Sequence, residues 1–306
     1  MSAPNTATDN RRGIAFMLAA MAAFLVNDTL VKLASADLPV GQIVFVRGLM
    51  ATPLLLLAAW WQGVPVEMRG LFHPIVGLRT IGEMGSTGFY LSALAHLPIA
   101  NATAILLLVP LATTAGAALF LREPVGLRRW TAIGIGLFGA LIIVRPGMEG
   151  FTVWSVVALV AALFVTTRDL CSRMIPPNLP VFAVSAAASA AVAVVGLVMG
   201  MWEDWVVLGA GDYLYLAGSA VLLSAGYVLI LHAMRAGDVA VVAPFRYSII
   251  LWAIAIQAVV FAAWPDLPTL AGSAILVATG LYTFNRERKR AKLRPAAAAL
   301  TAPAPK

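Results

Sequence analysis

Apolar residues recur along this chain in blocks of roughly 17–25, each closed by a short polar, glycine- or proline-bearing connector. At ~1.5 Å per residue, one such block crosses a hydrocarbon layer of ~30 Å as a single helix. The pattern predicts helices at 13–34, 40–61, 71–95, 98–121, 130–144, 151–171, 181–201, 213–233, 239–262 and 267–283. No connector is long enough to hold a folded soluble unit. The expected class is an all-α membrane protein with about ten transmembrane helices. Residues 1–12 and 286–306 read as disordered ends, and the first apolar run reads as helix one rather than a cleaved leader.

The polar residues between the blocks set the orientation. Arg11, Arg12, Arg69, Arg122, Arg128, Arg129, Arg173, Arg235 and a C-terminal run from Arg286 to Arg294 fall on one set of alternating ends. Asp37, Glu149, Glu203, Asp204, Asp212 and Asp266 fall on the other, and only Lys32 and Arg145 depart from this. The positive side faces the cytoplasm, so both termini are expected there, in the cell inner membrane.

The chain also looks doubled. FLVNDTL at 24–30 ends helix one, and FVTTRDL at 164–170 ends helix six. A repeat of five helices is an odd number, so the second copy must be inverted in the bilayer. The expected halves are 13–146 and 151–285, with a site between them.

Composition agrees with this picture. Hydrophobic residues are 61% of the chain and charged residues 11%, too few to clothe a soluble protein. The net charge of +7 would suggest nucleic acid elsewhere. Here its largest cluster follows an apolar span without interleaved aromatics, which suits an anionic membrane surface instead. One cysteine, Cys171, and three scattered histidines offer no metal site, and no cofactor is expected.

Ionisable groups inside a bilayer are costly and face a partner or a cavity. Arg79 and Glu83 fall about 12 and 18 Å into helix three, on one face. They either neutralise each other or line a cavity. Asp28, after Asn27, shares an outer depth with Arg47. Arg168 and Asp169 share an inner depth with Arg246. Asp28–Arg47 and Asp169–Arg246 are therefore candidate outer and inner contacts, static or made and broken during transport. Pro110 in helix four and Pro244 in helix nine each remove an amide donor and free a carbonyl that needs a partner. Arg246, Tyr247, Trp252 and Gln257 make helix nine a candidate for substrate contact. Gly82, Gly85, Gly88 and Gly134, Gly136, Gly139 are spaced for close helix packing. The Gly-x-Gly-Asp sequence ending at Asp212 resembles an intramembrane aspartyl protease motif, but it lies at a boundary and has no second intramembrane aspartate beside it.

Several stretches resemble the EamA branch of the drug/metabolite transporter superfamily. They are LAHLPIANATAI at 94–105, VPL at 109–111, LFLREP at 119–124, Arg129-Trp130, Gly134 and VRPG at 144–147. FVR at 45–47 and VAVVAP at 239–244 extend the likeness. The resemblance implies ten helices in two inverted five-helix repeats. It also implies a cavity lined by helices one to four and six to nine, and no prosthetic group. The expected function is a secondary carrier for a small polar metabolite that is anionic, zwitterionic or a planar heterocycle, of the amino acid, riboflavin or S-adenosylmethionine type. The substrate candidates are Arg47, Arg79, Glu83, Arg246, Tyr247, Trp252 and Gln257. The gating or coupling candidates are Asn27, Asp28, Arg168, Asp169, Pro110 and Pro244. Proton coupling, if present, would act through Asp28 or Glu83. A membrane enzyme would need a catalytic constellation, and none stands out. A channel or sensory membrane domain is the other alternative, and no filter segment is visible.

Overall fold

In lipid a backbone amide finds no water, so each apolar block closes its hydrogen bonds within its own helix. The computed structural model describes residues 7–61, 73–123, 125–148, 151–175, 181–237 and 239–301. Arg69, Pro124 and Glu149 lie outside the described residues. Ten spans follow in order among the described residues. They are α1 (Ala7–Ala34), α2 (Val40–Trp61), α3 (Pro74–His96), α4, α5 (Leu127–Val144), α6 (Val153–Met174), α7 (Val181–Met199), α8 (Ala210–Ala236), α9 and α10 (Leu267–Thr301). The fourth span is split into α4a (Ile99–Leu106) and α4b (Val109–Phe120). The ninth consists of α9a (Val239–Val242), a 3₁₀ segment Ala243–Ser248 and α9b (Ile249–Val259).

Eight of these helices are both long and apolar enough to cross a membrane. The ninth span is apolar but short, and α3 has the length but carries Arg79 and Glu83. The first helix begins at Ala7, earlier than its apolar run, with Asp9 in its first turn where the helix dipole favours an acid.

Packing shows the inverted repeat directly. The most extensive contacts join α1 to α8, α2 to α7, α3 to α6 and α5 to α10, with α4a against α9b. Exchanging each helix with the one five places away turns this set into itself. The two matched motifs occupy equivalent seats. The Phe24 ring of α1 lies where a Cβ on Gly226 of α8 would be, and the Phe164 ring of α6 lies where a Cβ on Gly85 of α3 would be. Gly139 and Gly272 bring α5 and α10 together, a Cβ on Gly139 falling 3.1 Å from the Gly272 carbonyl oxygen. Gly134, in contrast, has nothing within 4 Å of a built Cβ.

Helix breaks coincide with two of the prolines. The fourth span breaks at Leu107 and Leu108, whose amides donate to Ala104 and Ile105 in 3₁₀ fashion just before Pro110. The ninth opens into 3₁₀ structure around Pro244. A third internal proline, Pro53, lies on an exposed face of α2 and leaves that helix continuous.

The two basic residues that depart from the charge pattern are both paired. Lys32 Nζ donates to the carbonyls of Leu94 (2.8 Å) and Leu97 (2.7 Å), closing the end of α3. Such a charge suits a helix C-terminus. Arg145 pairs with Asp266 across the α5–α10 ends. Partial burial pushes the Asp266 carboxyl up, but hydrogen bonds from Arg145 and Thr269 outweigh it and hold the group below its ordinary value. A depressed carboxyl contributes stability above its unfolded value and loses it as pH falls through the folded one. Asp266→Asn is therefore expected to lower stability by at most about 1 kcal/mol near pH 7, the carboxylate being solvent-screened. In thermal melts against pH, the difference from the unaltered chain should vanish well below pH 4.

The face opposite the termini is held by side-chain caps. Glu203 accepts from the Gly41 amide at 2.9 Å, and Gln42 exchanges hydrogen bonds with the backbone of Val206. Asp212 accepts from the Gly209 amide at 2.8 Å, so the acid of the Gly-x-Gly-Asp sequence caps α8.

Candidate functional site

Charged side chains from four helices meet in the middle of the bundle. In α3, Arg79 and Glu83 lie about 8 and 14 Å from the first residue of the helix. In α6, Arg168 lies about 9 Å from the last. The repeat packs α3 against α6, so these groups face one another. Glu83 receives Arg79 Nη2 at 3.6 Å, Arg168 Nη1 at 3.5 Å and the Tyr227 hydroxyl of α8 at 3.4 Å. Arg168 is held more tightly by its chain neighbour Asp169, at 2.8 and 2.9 Å. Arg79 Nε also donates to Ser172 Oγ at 3.2 Å.

A second group lies nearer the acidic face, where α1, α2 and α3 meet. Tyr90 donates to Asp28 Oδ2 at 2.8 Å, and Asn27 Nδ2 donates to Asp28 Oδ1 at 2.9 Å. Asn27 Oδ1 accepts from Arg47 Nη1 at 3.3 Å. Arg47 also lies within electrostatic range of Asp28, Glu83 and Tyr227, so the two groups form one network. Its ionisable members besides the tyrosines are Arg47, Arg79 and Arg168 against Asp28, Glu83 and Asp169.

This arrangement modifies the first expected contact and replaces the second. Asp28 and Arg47 do share a level, but Asn27 bridges them, and no direct ion pair joins them among the described residues. Asp169 pairs with Arg168, whereas Arg246 is exposed in the 3₁₀ segment of the ninth span. Depth along a helix put Asp169 and Arg246 level, but Arg246 lies on unwound backbone and is exposed. The network holds three bases and three acids.

Helix nine holds its candidate residues in separate places. Gln257 is buried and its Oε1 accepts from the Ala100 amide at 2.8 Å, capping α4a, whose N-cap Pro98 supplies no side-chain acceptor. Tyr247 lays its phenol against Gly280 of α10, and Trp252 is 40% exposed. Gln257→Leu should lower stability by about 1–3 kcal/mol by leaving the Ala100 amide unsatisfied. Solute selectivity should be unchanged in a binding panel. An altered selectivity with an unaltered midpoint would make Gln257 a ligand contact instead.

The sequence reading passed over Tyr90 and Tyr227, which tie the charged residues of different helices together. The available signal was their depth, Tyr90 about 9 Å from the end of α3, level with Asp28 in α1. Aromatic contacts flank the network, Phe24 on Tyr227 (5.5 Å, edge-on) and Phe89 stacked on Phe164 (5.4 Å).

Residues 11–145 match the EamA-like transporter family. The pseudopaline exporter of Pseudomonas aeruginosa is 28% identical over 283 residues, 91% of this chain and 98% of that one. The riboflavin transporter of Vibrio cholerae is 26% identical, covering 92% and 95%. The S-adenosylmethionine uptake transporter of Rickettsia felis is 24% identical, covering 90% and 94%. One solved crystal structure superposes with a TM-score of 0.63 at 21% identity, over 89% of this chain and 98% of that one, a likeness of fold. The family match covers the first repeat, and nearly the whole of this multi-pass membrane protein is similar to named transporters of small metabolites.

Proposed function

We propose that the chain is a secondary carrier that moves a small polar organic solute across the cytoplasmic membrane by alternating access, with its arginine-rich face in the cytoplasm. The observation that carries this reading is the charge-balanced network at the junction of the two inverted repeats. Six ionisable side chains at that depth are too costly to serve packing alone, and such groups mark solute pathways. The Glu83–Arg168 contact between α3 and α6 serves as the inner closure, and the Asn27-bridged contact between α1 and α2 as the outer one. Both use side chains that re-pair without unfolding a helix. The relatives' named cargoes support a polar organic solute, and they include an exporter and uptake carriers alike.

Counterflow in proteoliposomes tests the reading. Vesicles preloaded with amino acids, nucleosides, flavins or polyamines in turn should transiently accumulate the labelled form of one class. Flux that never saturates and shows no counterflow would make the protein a channel. A counterflow rate unchanged by pH and by uncouplers would remove Asp28 and Glu83 as coupling groups.

A further inference from the structure

We infer that Lys32 is a positioning residue that bolts the outer end of the pathway, while Ser172, its counterpart in the second repeat, leaves the inner end easier to open, so that the carrier rests biased toward the cytoplasm. The inference rests on the carrier reading above. Lys32 lies one helical turn beyond Asp28 on the same face of α1. Its ammonium donates at 2.8 and 2.7 Å to the carbonyls of Leu94 and Leu97, at the end of α3 where carbonyls run out of helical partners. Its Nζ also lies 5.9 Å from the centre of the Phe261 ring, just past α9b, within cation–π range. One side chain thus joins α1, the end of α3 and the end of the ninth span, which belongs to the other repeat.

The matched motifs at 24–30 and 164–170 make Ser172 the counterpart of Lys32. Its Oγ donates to the Arg168 carbonyl of its own helix at 2.7 Å and accepts from Arg79 Nε at 3.2 Å. Neither bond joins α6 to the end of α8, the helix that corresponds to α3. Packing differs in the same sense. Both α1 and α2 pack against α3, whereas α6 and α7 make little contact with α8 among the described residues. The two repeats therefore hold two arrangements of one motif, the first gathered and the second spread.

Alternating access through inverted repeats exchanges those two arrangements. When the first repeat spreads, α1 and α2 leave α3, and both Lys32 bonds break. The inner closure between α3 and α6 has longer contacts to lose, Glu83 with Arg168 at 3.5 Å and Arg79 with Ser172 at 3.2 Å. Short charge-assisted bonds are the stronger set. Exposure follows the same asymmetry, since Arg168 and Asp169 are part-exposed while Asn27 and Arg47 are buried. The outer end is the harder one to open, and Lys32 sets the balance between the two faces.

The test places the full chain in lipid nanodiscs, where both faces meet the solution, and times the modification of a single cysteine by an impermeant thiol reagent. Cys171→Ser is the background. The outer reporter is Leu94→Cys, at a fully buried position one turn beyond Tyr90 on α3. The inner reporter is Ser172→Cys. Lys32→Met keeps the length of the side chain and removes its charge and donors. Compared with the same reporters beside Lys32, it should speed the outer reaction about tenfold and slow the inner one. General loosening speeds both, so it does not produce this reciprocal shift. Both reporters faster, or neither changed, overturns the inference. If Lys32→Met does not fold, Lys32→Gln replaces it and is read by the same outcomes. Counterflow by the unaltered chain without the reciprocal shift sinks the bolt and leaves the carrier reading intact. The reciprocal shift without counterflow of any solute supports the bolt and sinks the carrier reading instead.

Discussion

Glu83→Ala is expected to abolish counterflow and to lower the thermal midpoint of the purified protein, at a cost of about 3 kcal/mol or more. Glu83 is the acid facing Arg79, and it shares Arg168 with Asp169. Removing it leaves Arg168 compensated by Asp169 and strands Arg79 with Ser172 as its hydrogen-bond partner among the described residues. The energetic penalty therefore belongs to one buried, unpaired guanidinium. That identification can be checked. Replacing both partners by apolar residues of similar volume, Arg79→Met with Glu83→Leu, should recover most of the lost stability, because a desolvated ion pair is worth little against good packing. It should not recover counterflow. A single variant as stable as the unaltered chain would mean that water or lipid headgroups screen the pair. A double variant that carries solute would remove both residues from the transport pathway.

Gly196→Leu should be nearly as damaging, and for a reason that involves no charge. A Cβ at Gly196 in α7 would lie 2.7 Å from the Gly41 carbonyl oxygen and 2.7 Å from Phe45 Cα in α2. These are backbone atoms and cannot turn aside as a side chain can. The α2–α7 interface is one of the most extensive in the bundle, so the helices must separate along it. Overpacking of this kind costs about 1–3 kcal/mol where side chains can yield, and more is expected here. Yield of folded protein in the membrane, by fluorescence-detected gel filtration, should fall sharply. Gly134→Leu is the control, since nothing lies within 4 Å of its built Cβ. Equal loss in both variants would show that side-chain bulk anywhere on these helices impairs insertion, and not that α2 and α7 need close contact.

Much of the architecture was legible in the chain. Block length, the alternation of basic and acidic connectors, and the matched motifs at 24–30 and 164–170 lead to ten spans in two inverted halves. Even the exceptions were informative, since Lys32 and Arg145, the two basic residues out of place, both turned out to be paired. The intramembrane residues of the network were legible as well, because a charge within an apolar run stands out. Its tyrosines were not. Tyr90 and Tyr227 are ordinary members of an apolar span until an acid on another helix is known to face them.

The sequence by itself thus determined the helices, their number, their alternating direction and the level at which each charge sits. These follow from constraints that act along one segment at a time: the thickness of the hydrocarbon layer, and the need to satisfy every backbone amide within the helix. Tertiary structure alone decided which charge meets which. Asp169 and Arg246 were level by rise, yet Asp169 went to Arg168 and Arg246 is left exposed. Gln257 and Trp252 share a helix, yet one caps α4a and the other is part-exposed. Pairing depends on the rotation of each helix about its axis and on where a span unwinds. Both are set by how small residues such as Gly85, Gly196 and Gly226 seat the neighbouring helix, a condition that involves two segments at once and is written in neither alone.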